Sequence, residues 1–105
     1  MKQLLATLRA VLDRLTADDF APLVGERFEL LLPEGEPLEL RLTSCDELGG
    51  APEGARRPFS LIFHGDRLVP QQIWTLRHPQ LGELELFIVP LGPEEGGMRY
   101  EAIFT

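Results

Sequence analysis

The sequence predicts a mainly β fold: a small six-stranded antiparallel barrel or sandwich with an N-terminal amphipathic helix. Three observations carry this expectation. Apolar and polar residues alternate over several short runs, which is the period of a half-buried strand. Turns bearing Gly, Pro, Asp or Asn-like residues separate the runs. No helical stretch lies between the runs, so alternating parallel βαβ units are excluded. Six strands satisfy either a closed barrel or two packed sheets.

The chain has 105 residues. One domain of this size buries roughly 60–70% of its unfolded surface and holds a core without metals or disulfides. Two parts are expected: an amphipathic helix over residues 1–15 and a single β domain over 16–105.

In the helix, Leu4, Leu8, Val11 and Leu15 follow the i, i+4, i+7, i+11 spacing, and Leu5 and Leu12 widen the stripe. Two heptads are too few for a self-sufficient coiled coil. The stripe therefore has to be covered by its own sheet, by a protein partner or by a second copy. Leu4, Leu8, Val11 and Leu15 are the first candidates for a partner-binding surface. Thr16-Ala17-Asp18-Asp19 reads as the cap of a second, short helical turn, with Thr16 accepting from the backbone near Asp19. Phe20, Leu23 and Val24 are expected to plug one end of the core.

The strands follow in order. The first runs over about 26–32 with Phe28, Leu30 and Leu32 on one face, and Pro33-Glu34-Gly35-Glu36 turns the chain. The second runs over about 38–45, where Leu38, Leu40 and Leu42 alternate with Glu39, Arg41 and Thr43. The third covers 59–64 with Phe59, Leu61 and Phe63 on one face, and the fourth covers about 72–77 with Ile73, Trp74 and Leu76. The last two form a closing hairpin. Leu84, Leu86 and Ile88 oppose Glu83, Glu85 and Phe87, and Tyr100, Ala102 and Phe104 oppose Arg99, Glu101 and Ile103. Gly92-Pro93-Glu94-Glu95-Gly96-Gly97 reads as a loop between them. Pro90 marks an edge or a bulge, because it donates nothing to a ladder. Such strands suit an antiparallel meander.

Charge excludes one class of function. Seventeen acidic and ten basic residues leave a net charge of −7, against the clustered Lys and Arg that nucleic acid requires. The basic doublet Arg56-Arg57 lies in the glycine- and proline-rich stretch Leu48–Pro58, a long loop and the second candidate contact surface. Lys2 followed by leucines mimics a signal peptide, but Arg9, Asp13 and Arg14 interrupt the apolar run. No stretch approaches the ~20 apolar residues of a membrane span. The lone Cys45 fits a reducing compartment. A soluble cytoplasmic protein is expected, without nucleic-acid or membrane partners.

Catalytic chemistry has little to build on. Cys45 stands beside Asp46, not beside a cation that favours thiolate. His64-x-Asp66 and His78 are ligand types at a spacing of low specificity, better read as surface or turn residues. Gly49-Gly50 and Gly96-Gly97 lack the following Lys-Ser/Thr and helix of a phosphate loop. No catalytic residue, metal ligand or cofactor is assigned. Phe63, Trp74 and Tyr100 are the candidates to line a ligand cavity, if they do not simply pack the core.

The ordered series Thr16-x-x-Asp19-Phe20-x-Pro22-Leu23-Val24-Gly25-x-x-Phe28, Arg57-Pro58-Phe59-Ser60-Leu61-Ile62-Phe63, His78-Pro79-x-Leu81-Gly82, Phe87-Ile88-Val89-Pro90 and Tyr100-Glu101-Ala102-Ile103-Phe104 resembles a small bacterial domain family of unknown function. The resemblance covers Thr16 to the C-terminus and leaves the first helix as a variable addition. Trp74 replaces a Tyr of the pattern, one aromatic for another. The matching positions describe a scaffold, and no catalytic residue transfers with them. The resemblance implies an association with phage-tail-like and collar-domain proteins.

The first expectation is a non-enzymatic interaction or assembly module of a bacterial protein complex, meeting a partner or a second copy through the first helix. A small-ligand-binding β-barrel is the alternative, and a metal-dependent or cysteine enzyme the second alternative.

Overall fold

The structure is a computed structural model that describes Leu12 and residues 14–50 and 54–105. Leu4, Leu8 and Val11 of the leucine stripe lie outside the described residues. Leu12 and Arg14 have helical backbone, and a short helix α1 (Ala17–Phe20) runs into a 3₁₀ turn (Ala21–Leu23). Six strands follow: β1 (Arg27–Leu30), β2 (Leu38–Glu47), β3 (Phe59–Gly65), β4 (Gln72–His78), β5 (Gly82–Glu94) and β6 (Gly97–Phe104). All neighbouring strands are antiparallel, and the sheet closes into a barrel in the order β1-β2-β3-β6-β5-β4. Closure resolves barrel against sandwich and removes free strand edges.

The strands do not follow a simple meander. β3 pairs with β6 from Phe59↔Phe104 to Gly65↔Met98, and β1 pairs with β4 at Glu29↔Arg77 and Leu30↔Leu76. Two three-stranded meanders are thus joined edge to edge. The β3–β4 connection has to pass from one side of the barrel to the other, and buried side chains tie it down. Val69 is buried there, and its N–H donates to the Tyr100 hydroxyl at 2.8 Å. Tyr100 donates in turn to the Arg67 carbonyl at 2.6 Å, and the Trp74 indole donates to the Pro70 carbonyl at 2.9 Å.

The alternation in each strand becomes an inside and an outside. Phe28 and Leu30, Leu38, Leu40 and Leu42, Phe59, Leu61 and Phe63, and Leu84, Leu86 and Ile88 all point inward. Phe20 closes the end opposite the Tyr100 connection. Its ring lies 5.7 Å from Phe59 and 5.4 Å from Phe104, and these two stack on each other at 4.5 Å. Leu15 and Leu23 join this plug, whereas Val24 is 44% exposed and does not. At the start of α1, Thr16 and Asp19 form a reciprocal capping box, in which the Asp19 carboxylate accepts from the Thr16 N–H at 2.8 Å.

The closing hairpin is tighter than the sequence suggests. β5 runs through Pro93 to Glu94 and β6 resumes at Gly97, leaving Glu95 (φ 43°) and Gly96 (φ 77°) as the turn. Two positive φ values in a two-residue loop match the twist of the flanking strands. The ladder tolerates Pro90 because the register shifts between Pro90 and Gly92.

Candidate interaction surface

The three aromatic candidates for a ligand cavity are core residues. Phe63 and Tyr100 are fully buried and Trp74 nearly so, and the polar atoms of Trp74 and Tyr100 are spent on the β3–β4 connection. Burial raises the Tyr100 phenol above its ordinary value. The folded chain therefore holds this proton more tightly than the unfolded chain. The resulting stability is fully present below the unfolded value of about 10 and is lost as pH rises through the higher folded value. Tyr100→Phe is expected to cost about 1–2 kcal/mol at neutral pH, since it strips partners from the Val69 N–H and the Arg67 carbonyl. It should also flatten the fall in thermal midpoint between pH 9 and 11; the same alkaline decline in both proteins would contradict this assignment.

The polar candidates for chemistry do not converge. Cys45 points its thiol at the Ala17 carbonyl at 3.5 Å. Burial first, then Asp46, Glu47 and Asp18, push that thiol up and away from the thiolate form. β3 and β4 stand three strands apart in either direction around the barrel. His64 points outward from β3, while His78 points inward from β4. His78 is not the turn residue its Pro79 neighbour suggests. It is 3% exposed, and its ring packs 4.6 Å from Phe28. Its Nδ1 accepts from the Gln80 N–H at 3.1 Å, which leaves Nε2–H to donate to Glu26 at 2.9 Å. Among the described residues no group of three His, Cys, Asp or Glu side chains is arranged to hold a metal.

The second contact candidate divides. Arg56 donates through Nη1 to the Leu12 carbonyl at 2.6 Å and the Leu15 carbonyl at 2.9 Å, and through Nη2 to the Thr105 carbonyl. Its guanidinium lies 5.7 Å above the Phe104 ring. It therefore staples the Leu48–Pro58 loop, the C-terminal end of the first helical residues and the end of β6. Helix ends carry unpaired carbonyls, and a cation suits them. Leu15 is buried in the core below it. Arg57, by contrast, is exposed, beside Glu47 and the Leu48–Gly50 segment.

On the outside of the barrel, three of the exposed large apolar side chains among the described residues lie on neighbouring strands. Ile73 on β4 faces Phe87 on β5 in register, and they are 62% and 52% exposed. Ile103 on β6, 54% exposed, shares with Phe87 and Leu12 a shallow depression of about 190 Å³ that also takes in Glu85 and Thr105. An apolar row thus crosses three adjacent strands and ends at Leu12, the residue where the described helical backbone begins. Contiguous apolar surface of this kind marks a docking face more often than scattered exposed residues do. None of the helices described is long and apolar enough to cross a membrane.

No curated protein and no solved structure matches the chain. Residues 15–104, from the buried Leu15 to the last residue of β6, match the model of a domain of unknown function, DUF6916, and the chain belongs to that family.

Proposed function

We propose that the protein is a non-enzymatic interaction module that assembles with a second copy of itself. Residues 1–11 of one copy, through Leu4, Leu8 and Val11, cover the Ile73–Phe87–Ile103 row of the other. The exposed apolar row beside Leu12 carries this reading. Three further points support it. A helical turn rises about 5.4 Å and neighbouring strands lie about 4.8 Å apart, so successive leucines of a stripe can meet successive strands. Charge is complementary: Lys2, Arg9 and Arg14 against Asp13 leave the first fifteen residues at +2, and the remainder of the chain carries −9. Glu85 and Glu101 flank the row on the same outer face. A reciprocal pair of such seats is an isologous contact, and two seats together reach the roughly 1,200 Å² of a stable interface more readily than one.

A closed barrel with an exposed apolar row suits an assembly module of a bacterial protein complex, of the phage-tail-like kind the sequence resemblance implies. Its protonated lone thiol suits a reducing cytoplasm. Light scattering tests the reading. The full chain should run as a dimer at tens of micromolar, and Phe87→Glu and Ile103→Lys should each return monomers with unchanged thermal midpoints, since both side chains lie outside the core. A monomeric full chain, or a dimer indifferent to Phe87→Glu, overturns it.

A further inference from the structure

The opposite part of the barrel surface carries a second ordered row, and it is cationic. Arg27 pairs with Arg41 across β1–β2, Arg41 with His64 across β2–β3, and His64 with Arg99 across β3–β6. All four point outward, because their chain neighbours Phe28, Leu40, Leu42, Phe63 and Tyr100 fill the interior. Cations directly opposite one another weaken a ladder, and here three arginines and a histidine stand in register in a chain with seven acidic charges to spare. The two ends of the row are neutralised: Arg27 pairs with Glu39 at 3.1 Å and Arg99 with Glu94 at 3.2 Å. The centre is not. Arg41 has no carboxylate within ion-pair distance among the described residues.

His64 is held in place beside it. Its Nε2–H donates to the Glu94 carbonyl at 3.0 Å, and its ring lies over Gly97, whose lack of a side chain admits it. A carbonyl only accepts, so the neutral ring carries its proton on Nε2 and keeps Nδ1 free. Arg27, Glu39, Arg41, His64, Gly65 and Asp66 together line a depression of about 200 Å³.

We propose that this depression is a binding site for a phosphate group. The Arg41 guanidinium presents a planar fork that matches two oxygens of one tetrahedral anion. Arg27, already paired, lowers the local repulsion without closing the site. Asp66 decides the class of anion. An ionised carboxylate at the rim repels an oxyanion without protons, but it accepts a hydrogen bond from one that keeps an acidic hydroxyl. Phosphate retains such a proton near neutral pH, whereas sulfate and acetate do not. The row thus selects by donor count as well as by charge. The proposal does not depend on self-association, because the site lies on β1, β2 and β3 and the apolar row on β4, β5 and β6.

The test is an NMR titration of the full chain, following the arginine Nε–Hε and backbone signals, with inorganic phosphate, sulfate and acetate at matched ionic strength. Phosphate should shift Arg41, His64 and Arg27 selectively, and should bind at least tenfold more tightly than either other anion. Arg41→Gln should weaken phosphate at least tenfold, while Arg57→Gln, exposed beside Glu47 at the other end of β2, should not change it. Asp66→Asn should bring sulfate to within about threefold of phosphate. A phosphoserine peptide in parallel tests the source and the part given to Asp66: its monoester loses its last proton at about pH 6, so above neutral pH it should bind more weakly than inorganic phosphate, which assigns the site to the free ion, and tighter binding overturns the proposal. Shifts spread evenly over all arginines, or equal affinities for the three anions, overturn the proposal.

Discussion

Replacing Phe59 by alanine should remove about 3–5 kcal/mol of stability, the range for a buried aromatic cut back to a methyl. Phe59 is fully buried, stacks on Phe104 at 4.5 Å and meets Phe20 at 5.7 Å. Phe20 belongs to α1 and Phe104 to the end of β6, so one ring joins the helical plug to the barrel wall. Its loss leaves a cavity that flanking strands, fixed by ladders on both sides, cannot collapse into. A domain of this size holds only about 5–15 kcal/mol in total, so the substitution takes a large share. Phe87→Ala provides the contrast. Phe87 is the same residue type on the outer face, 52% exposed, and its truncation in the monomer should stay within about 0.5 kcal/mol. Urea unfolding midpoints of the two variants check both numbers, and similar losses would contradict the inside–outside assignment.

Gly97→Ala should be the most damaging single-carbon addition. A Cβ at Gly97 would enter the Gly65 carbonyl oxygen and come within 2.7 Å of His64 Cε1 and 2.8 Å of His64 Nε2. The histidine ring would have to leave and give up its bond to the Glu94 carbonyl. The Gly65 carbonyl belongs to the β3 backbone and has no rotamer to move to. Overpacking of this kind costs about 1–3 kcal/mol, and more where main chain must shift. Here it strikes the start of β6, the strand that joins the two meanders. Gly49→Ala is the control, since a Cβ there meets nothing within 4 Å among the described residues. Thermal midpoints should fall clearly for Gly97→Ala and barely for Gly49→Ala; equal shifts would mean that the Gly65–Gly97 approach is not tight in solution.

The strands and their inner faces were legible because a half-buried strand writes its period into the sequence. Leu38-Leu40-Leu42 and Tyr100-Ala102-Phe104 could hardly be read otherwise, and Pro90 announced its bulge by lacking a donor. What alternation cannot express is which strand lies beside which. Nothing local tells β3 to pair with β6 instead of β4, and that pairing follows from closure of the whole sheet. Both surface rows depend on it. The parity of the hairpin already set Phe87 and Ile103 on the face away from the core, but their alignment with Ile73 is a matter of register. Arg27, Arg41, His64 and Arg99 are spread over 73 positions of sequence numbering and meet only in the ladder. His78 misled for a local reason. A following proline signals a turn, yet the turn begins one residue later, and the imidazole is drawn inside by Phe28 and satisfied by Glu26 and Gln80. Arg56 was legible as a basic loop residue but not as a staple, because its three carbonyl partners come from distant parts of the chain.

The claim that residues 1–11 of one copy cover the apolar row of another has one direct test. In a sample mixed from two differently isotope-labelled preparations, filtered NMR experiments report only contacts between copies. Contacts from the Leu8 methyl groups of one copy to the Phe87 ring of the other are predicted, and they should vanish in Ile103→Lys. Leu8–Phe87 contacts found only within a copy, or none at all in a sample that light scattering shows to be dimeric, would contradict the account.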